Sequence, residues 1–233
     1  MRSTQTAKRR TFGLQGGFMK LYFSPLACSL ATRIALYEAG AQATFVEVDA
    51  KTKVTSDGTD FLAVHRLGLV PALEIVDPAT GERAVLTENA AVLQWVADQF
   101  PEANLAPRGG LARARLKERL HFIGSELHKA VFVPLLEKEA HAEAKAYALS
   151  KADRRLAWLA TELEGRAYQL DELSVADAYL FAVLNWSVVT PIRLDRYPAL
   201  AAFMARMHER PAFARAFAEE KELYLAELAR HAA

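Results

Sequence analysis

The chain has 233 residues, with 29 Lys or Arg against 28 Asp or Glu, and its formal charge of +1 supplies no field to draw in a nucleic acid or an anionic membrane surface. Apolar residues make up 52% and charged residues 24%, which argues against disorder and suits one large or two modest folded units. A single cysteine, Cys28, excludes an internal disulfide, a cysteine-rich zinc site and an iron–sulfur cluster.

Residues 1–18 hold Arg2, Lys8, Arg9 and Arg10 and no acidic residue, but lack the apolar middle of a secretory signal. They read as an extension before a fold that starts at Met19, with an Arg-rich transit-like segment as the alternative. From there the pattern alternates. Lys20 to Ser24 reads as a strand, Ser29 to Ala39 as a helix stopped by Gly40, and Thr44 to Val48 as a second strand. A short helix ends near Val64. Strands at Ala72 to Val76 and Arg83 to Leu86 flank Asp77, Pro78 and Gly81, which is hairpin turn chemistry, and a helix follows from Glu88 to Gln99. The order βαβ, helix, ββα predicts a thioredoxin-like domain over residues 19–100.

Residues 101–110 contain Pro101, Pro107, Gly109 and Gly110 and read as a linker, after which residues 111–233 show helical periodicity and no strand. Leu116, Leu120, Ile123, Leu127 and Val131 share a helix face before Pro134, which is expected to kink or end that helix. A helix is predicted from His141 to Glu164. Ser174 and Asp177 form a capping-box pattern ahead of a run apolar on every side, the expected centre of the second domain. Two helices follow, Ala199 to His208 and Pro211 to Leu228. The fold class is therefore α/β plus all-α. The longest apolar stretch, Val175 to Ile192, carries Asp177 and Asn185, so no membrane span is expected.

Cys28 sits where the first strand hands over to the first helix. There the positive end of the helix dipole and unsatisfied N–H groups favour thiolate over thiol, although a lone cysteine can equally be a small buried hydrophobe. Position 31 is Ala, so a dithiol mechanism is excluded and any oxidised state of Cys28 must be resolved by a thiol from outside the chain. In a cytosolic setting that thiol is glutathione.

The motifs Ser24-Pro-Leu-Ala-Cys28-Ser29, Val70-Pro71-Ala-Leu, Leu-Thr-Glu88-Asn89, Ser125-Glu126-Leu-His128-Lys129 and Ser174-Val-Ala-Asp177 resemble those of cytosolic glutathione transferases, of the bacterial beta class. The resemblance runs from about Met19 to the C-terminal helices. It implies a thioredoxin-like glutathione-binding domain followed by an all-helical domain, with glutathione as co-substrate and no metal. Catalysis falls to Cys28, Ser29 and His128. Glutathione falls to Cys28, Lys53, Val70, Pro71, Glu88, Asn89, Glu126, His128 and Lys129, with Pro71 cis and Glu126 reaching across a dimer interface or serving as a surface charge. The implied activity is conjugation of glutathione to a hydrophobic electrophile. A variant has Cys28 itself in thiol–disulfide exchange, and the alternative is a catalytically weak binding protein of the same fold. A cytoplasmic homodimer is the implied setting.

His121 and His128 are seven residues apart with Ser125 between them, which places all three on one helix face but too far apart for a shared metal ion. Several positions depart from the family pattern: His65-Arg66-Leu67-Gly68 lacks the usual Lys, Leu26 stands where Gly is common, and Asn89 replaces Ser or Gly. His121 stands where Asn is common, and Phe23 replaces a strand tyrosine, with Tyr22 pointing to the opposite face.

Overall fold

The computed structural model of the chain describes residues 18–77 and 79–232, so the expected N-terminal extension lies, apart from Phe18, outside the described residues. The first half runs β1 (Met19–Phe23), α1 (Leu30–Glu38), β2 (Thr44–Glu47), α2 (Phe61–Val64), β3 (Ala72–Val76), β4 (Arg83–Thr87) and α3 (Asn89–Gln99). The strands form one sheet in the order β2-β1-β3-β4, with β1 parallel to β2 and antiparallel to β3, and β3 antiparallel to β4. Alternation along β1 sends Leu21 and Phe23 into the main core with α1 and α3, and Tyr22 to the other face. There it packs against Phe61 of α2, with ring centroids 5.5 Å apart.

The second half is helical: α4 (Gly110–His121), a π-wound segment (Phe122–Phe132), α5 (Val133–Leu136), α6 (Ala142–Leu163), α7 (Val175–Leu184), α8 (Pro198–Glu209) and α9 (Pro211–Ala232). Residues 110–136 form one uninterrupted rod. Pro134 does not end it; the helix continues to Leu136, and the adjustment lies upstream. The Val133 N–H donates to the His128 carbonyl five residues back, the wider π register. A proline ring in an α-helix collides with the carbonyl four residues earlier, and looser winding ahead of it relieves that collision.

Every residue of α7 is buried, and its start is fixed as the sequence predicts. The Ser174 N–H and hydroxyl donate to Asp177 Oδ2 at 2.8 and 3.1 Å, and the Gln169 N–H donates to Oδ1 at 2.8 Å. One apolar cluster runs from Leu21 of the sheet through α1 and α7 to Phe213 of α9, so the two halves share a core. The Pro- and Gly-rich segment between them is pinned: Leu105 is buried and its carbonyl accepts the Val175 N–H at 2.9 Å. Helix α9 extends four residues past the predicted end at Leu228. The added turn has no apolar periodicity and is held by polar contacts, Arg230 on Glu47 at 2.6 Å and His231 Nε2 against Asp49 Oδ2 at 2.8 Å.

Candidate active site

The loop between β1 and α1 is held by side chains from distant parts of the chain. Leu26 has a left-handed backbone, φ +55°, which costs an L-residue about 1–2 kcal/mol. Its N–H donates to Glu220 Oε2 of α9 at 2.8 Å, and its carbonyl accepts from Trp186 Nε1 at 2.9 Å. The Cys28 carbonyl accepts from Asn89 Nδ2 at 2.7 Å, and Asn89 Oδ1 accepts from the Thr32 hydroxyl at 3.0 Å. Asn89 thus ties the first turn of α3 to the cysteine loop.

The Cys28 thiol donates to the Val70 carbonyl at 3.2 Å. Burial pushes its pKa up to about 12; Lys129 and its own backbone N–H act in the other direction, while Glu88 and Glu220 add to the rise. The expected thiolate is therefore absent from the free protein at neutral pH. The helix proper begins at Leu30, two residues past the sulfur, and desolvation outweighs the donors that reach it.

A cleft of about 750 Å³ opens between the sheet and the π-wound segment. Cys28, Lys53, Val70, Pro71, Glu88, Asn89, His128 and Lys129 all line it, together with His65, His121, Ser125 and Tyr179. The Val70–Pro71 peptide is cis. Two predicted residues are not brought there. The Ser29 hydroxyl is fully buried and donates to the Ser24 carbonyl at 3.3 Å, so its side chain stabilises the loop. Glu126 is absent from the cleft wall and accepts from Arg155 Nε of α6 at 2.7 Å, a pairing within the chain.

His128 is buried, with Nδ1 sharing a hydrogen bond with the Tyr179 hydroxyl at 2.9 Å and its ring 4.9 Å from that of Trp186. Burial, and then Lys129 beside it, lower its pKa to about 4, so the imidazole is neutral at pH 7. Cys28 and His128 also line a second, mostly apolar pocket of about 430 Å³, walled by Leu26, Val133, Trp186, Val189 and Phe217. One thiol and one neutral imidazole therefore stand between the cleft and the smaller apolar pocket.

Residues 27–99 match the glutathione S-transferase N-terminal domain and residues 125–211 the glutathione S-transferase C-terminal domain. Glutathione S-transferase GstA of Escherichia coli O157:H7 is 38% identical over 195 residues, 83% of this chain and 94% of the relative. The chain belongs to the glutathione S-transferase family. A sphingomonad glutathione S-transferase solved in complex with glutathione is 46% identical, with a TM-score of 0.79 over 87% of this chain and 98% of that one. The beta-class enzyme of Sphingomonas chungbukensis is 45% identical, with a TM-score of 0.79 over 86% and 98%. The transferase is thus of the bacterial beta-class type.

Four residues that shape the transferase's site are not assigned to it by the sequence pattern. Glu220 lies in Glu219-Glu220-Lys221, which reads as a solvated helix face, yet it is fully buried. Tyr179 and Trp186 lie in or beside an all-apolar helix, where nothing separates a pocket residue from a core one. Gly68, φ +60°, lets the Lys53 stem cross it; a Cβ there would meet Lys53 Cδ and Cε at 3.3 Å and Leu62 at 3.0 Å.

Proposed function

We propose that this transferase holds the glutathione thiolate against the Cys28 S–H and delivers it to an electrophile in the adjoining apolar pocket. The observation that carries this is the shared wall: Cys28 and His128 face both spaces. The cysteinyl backbone of glutathione pairs with Val70 as a short added strand, displacing the Cys28 thiol from the Val70 carbonyl. The freed S–H then donates to the glutathione sulfur. The first turn of α3, with its unpaired N–H groups at Glu88 and Asn89, takes the γ-glutamyl carboxylate, and the Glu88 carboxylate its ammonium. Lys53 and Lys129 answer the remaining negative charge. With the Tyr179 hydroxyl donating to Nδ1, His128 carries its proton on Nε2 and serves as a donor rather than a base.

In the reaction the thiol proton leaves to solvent, the glutathione sulfur forms a bond to the electrophilic carbon, and the leaving group departs with the bonding pair. A pKa of about 12 disfavours the alternative in which Cys28 is itself the nucleophile in the free protein. Cys28→Ala separates the two. Conjugation of an aryl halide falls about 10- to 100-fold, the value of a hydrogen bond to a charged sulfur, and does not vanish. Wild-type conjugation in that variant overturns the donor role. No helix among the described residues is long and apolar enough to cross a membrane, and the cytoplasmic setting rests on family resemblance. The homodimer rests on family resemblance and is tested by sedimentation at micromolar concentration.

A further inference from the structure

Outside the cleft, three side chains from opposite ends of the chain meet. Asp49 lies in the loop after β2, while Glu227 and His231 lie on α9 four residues apart, on one helix face. One ligand atom from each falls within 4.8 Å of the others, and among the described residues this is the one group of three such side chains so placed. Ligand atoms around a tetrahedral ion at about 2.0–2.2 Å lie roughly 3.4 Å apart, so small rotamer changes close the set. His231 Nε2 is already 2.8 Å from Asp49 Oδ2.

The rest of the neighbourhood leaves these groups available. Asp49 Oδ1 is engaged by the N–H groups of Lys51 and Thr52, which fixes the carboxylate and turns Oδ2 to His231. Glu227 is 7% exposed and orients through Oε1, which accepts the Ala50 N–H at 3.1 Å. The adjacent Arg230 pairs with Glu47 at 2.6 Å and feels the charge of Glu227 and Asp49 without a hydrogen bond to either. Two carboxylates converging beside one imidazole, one of them buried, offer a mixed nitrogen and oxygen donor set to a cation. Part-exposed Asp49 and His231, at 16% and 29%, give it a way in.

We infer that Asp49, Glu227 and His231 form a binding site for a divalent transition ion that clasps the end of α9 to the loop after β2. One imidazole and two carboxylates suit Zn²⁺ or Ni²⁺, whereas Mg²⁺ and Ca²⁺ prefer an all-oxygen set. The same loop carries Lys53, whose N–H donates to the Asp49 carbonyl at 3.0 Å. Loading the clasp therefore stiffens one wall of the cleft from outside it.

The test is calorimetric titration of Zn²⁺ into chelator-treated, tag-free protein, with melting temperature as a second readout. Wild type is expected to take one ion per chain and to melt at higher temperature with it; Mg²⁺ does neither. Asp49→Asn and His231→Gln are each expected to weaken binding at least about 10-fold and to abolish the melting shift. His231→Gln keeps a hydrogen-bonding side chain against Asp49 at a part-exposed position, so the fold survives and an ordinary polar contact is told apart from a metal ligand. Absence of saturable Zn²⁺ binding by wild type, or wild-type affinity in either variant, overturns the proposal.

Discussion

The Cys28 thiol donates to the Val70 carbonyl at 3.2 Å, so the one cysteine and the residue before the cis proline are engaged with each other in the free protein. With the pKa pushed up to about 12, only about 10⁻⁵ of the thiol is ionised at pH 7. Alkylation by iodoacetamide is therefore expected to be far slower than for a free cysteine at pH 7.5, and to keep accelerating above pH 10. A rate that levels off near pH 7 would show an activated thiolate and remove the donor role argued for Cys28.

The neutral state of His128 has a cost that acid exposes. Its folded pKa of about 4 lies below the usual 6.5, so the unfolded chain takes up the proton first as pH falls. Stability is complete above pH 6.5 and is lost as pH drops toward 4, by roughly 2 kcal/mol at pH 5 relative to pH 7. His128→Gln keeps a hydrogen-bonding group near Tyr179 and does not titrate. Urea midpoints at the two pH values should therefore fall further for wild type than for the variant. The comparison also sets aside His208, whose pKa burial lowers as well. An equal fall in both proteins would mean that His128 is protonated in the fold.

Asn89 offers a test of how the two sides of the cleft are tied. Asn89→Ala removes the side-chain donor to the Cys28 carbonyl, which keeps the Ala31 N–H at 3.2 Å, and leaves the buried Thr32 hydroxyl without an acceptor, at about 1 kcal/mol for the lost bond and about 1–3 kcal/mol for the orphaned hydroxyl. We expect a loss of roughly 2–4 kcal/mol in urea denaturation and a raised KM for glutathione. A raised KM with unchanged stability would instead place Asn89 as a direct ligand only.

What was legible in the sequence follows from what is local. Strand alternation placed Tyr22 and Phe23 on opposite faces, and the Ser174 and Asp177 spacing located the start of α7, because each signal spans a few residues. The site positions Cys28, Val70 and Glu88 came from motifs that mark turns and helix starts. The rest depends on contacts between distant segments. Glu220 is polar in a polar stretch, and only the docking of α9 beneath the cysteine loop buries it. Desolvation of Cys28 is likewise set by α3, α9 and the cis-proline loop, so helix-terminus reasoning alone gave it the wrong ionisation. Ser29 and Glu126 were carried by motif position, which does not reveal that one turns into the loop and the other toward Arg155.

The clearest link between a distant helix and the chemistry is the pair Arg33 and Glu220. Arg33 Nε lies 2.9 Å from Glu220 Oε1, both side chains are nearly sealed from water, and the guanidinium sits 4.2 Å from the ring centroids of both Phe23 and Phe45. Burial raises the Glu220 pKa, and Arg33 and the Leu26 N–H oppose that rise. Removing one partner of a buried pair costs about 3–5 kcal/mol, because the other charge stays behind. Glu219 also contacts Arg33 at 2.9 Å, so Glu220→Ala is expected near the lower end, about 3 kcal/mol by urea denaturation. The same substitution frees the Leu26 N–H and removes one of the two contacts that hold its left-handed backbone. Conjugation should fall with it although Glu220 touches no substrate. Adding Leu26→Gly removes the backbone strain and should restore part of the activity while leaving the stability loss largely in place. Activity that stays low in the double variant would show that Glu220 acts on the site by some route other than the shape of the Leu26 loop.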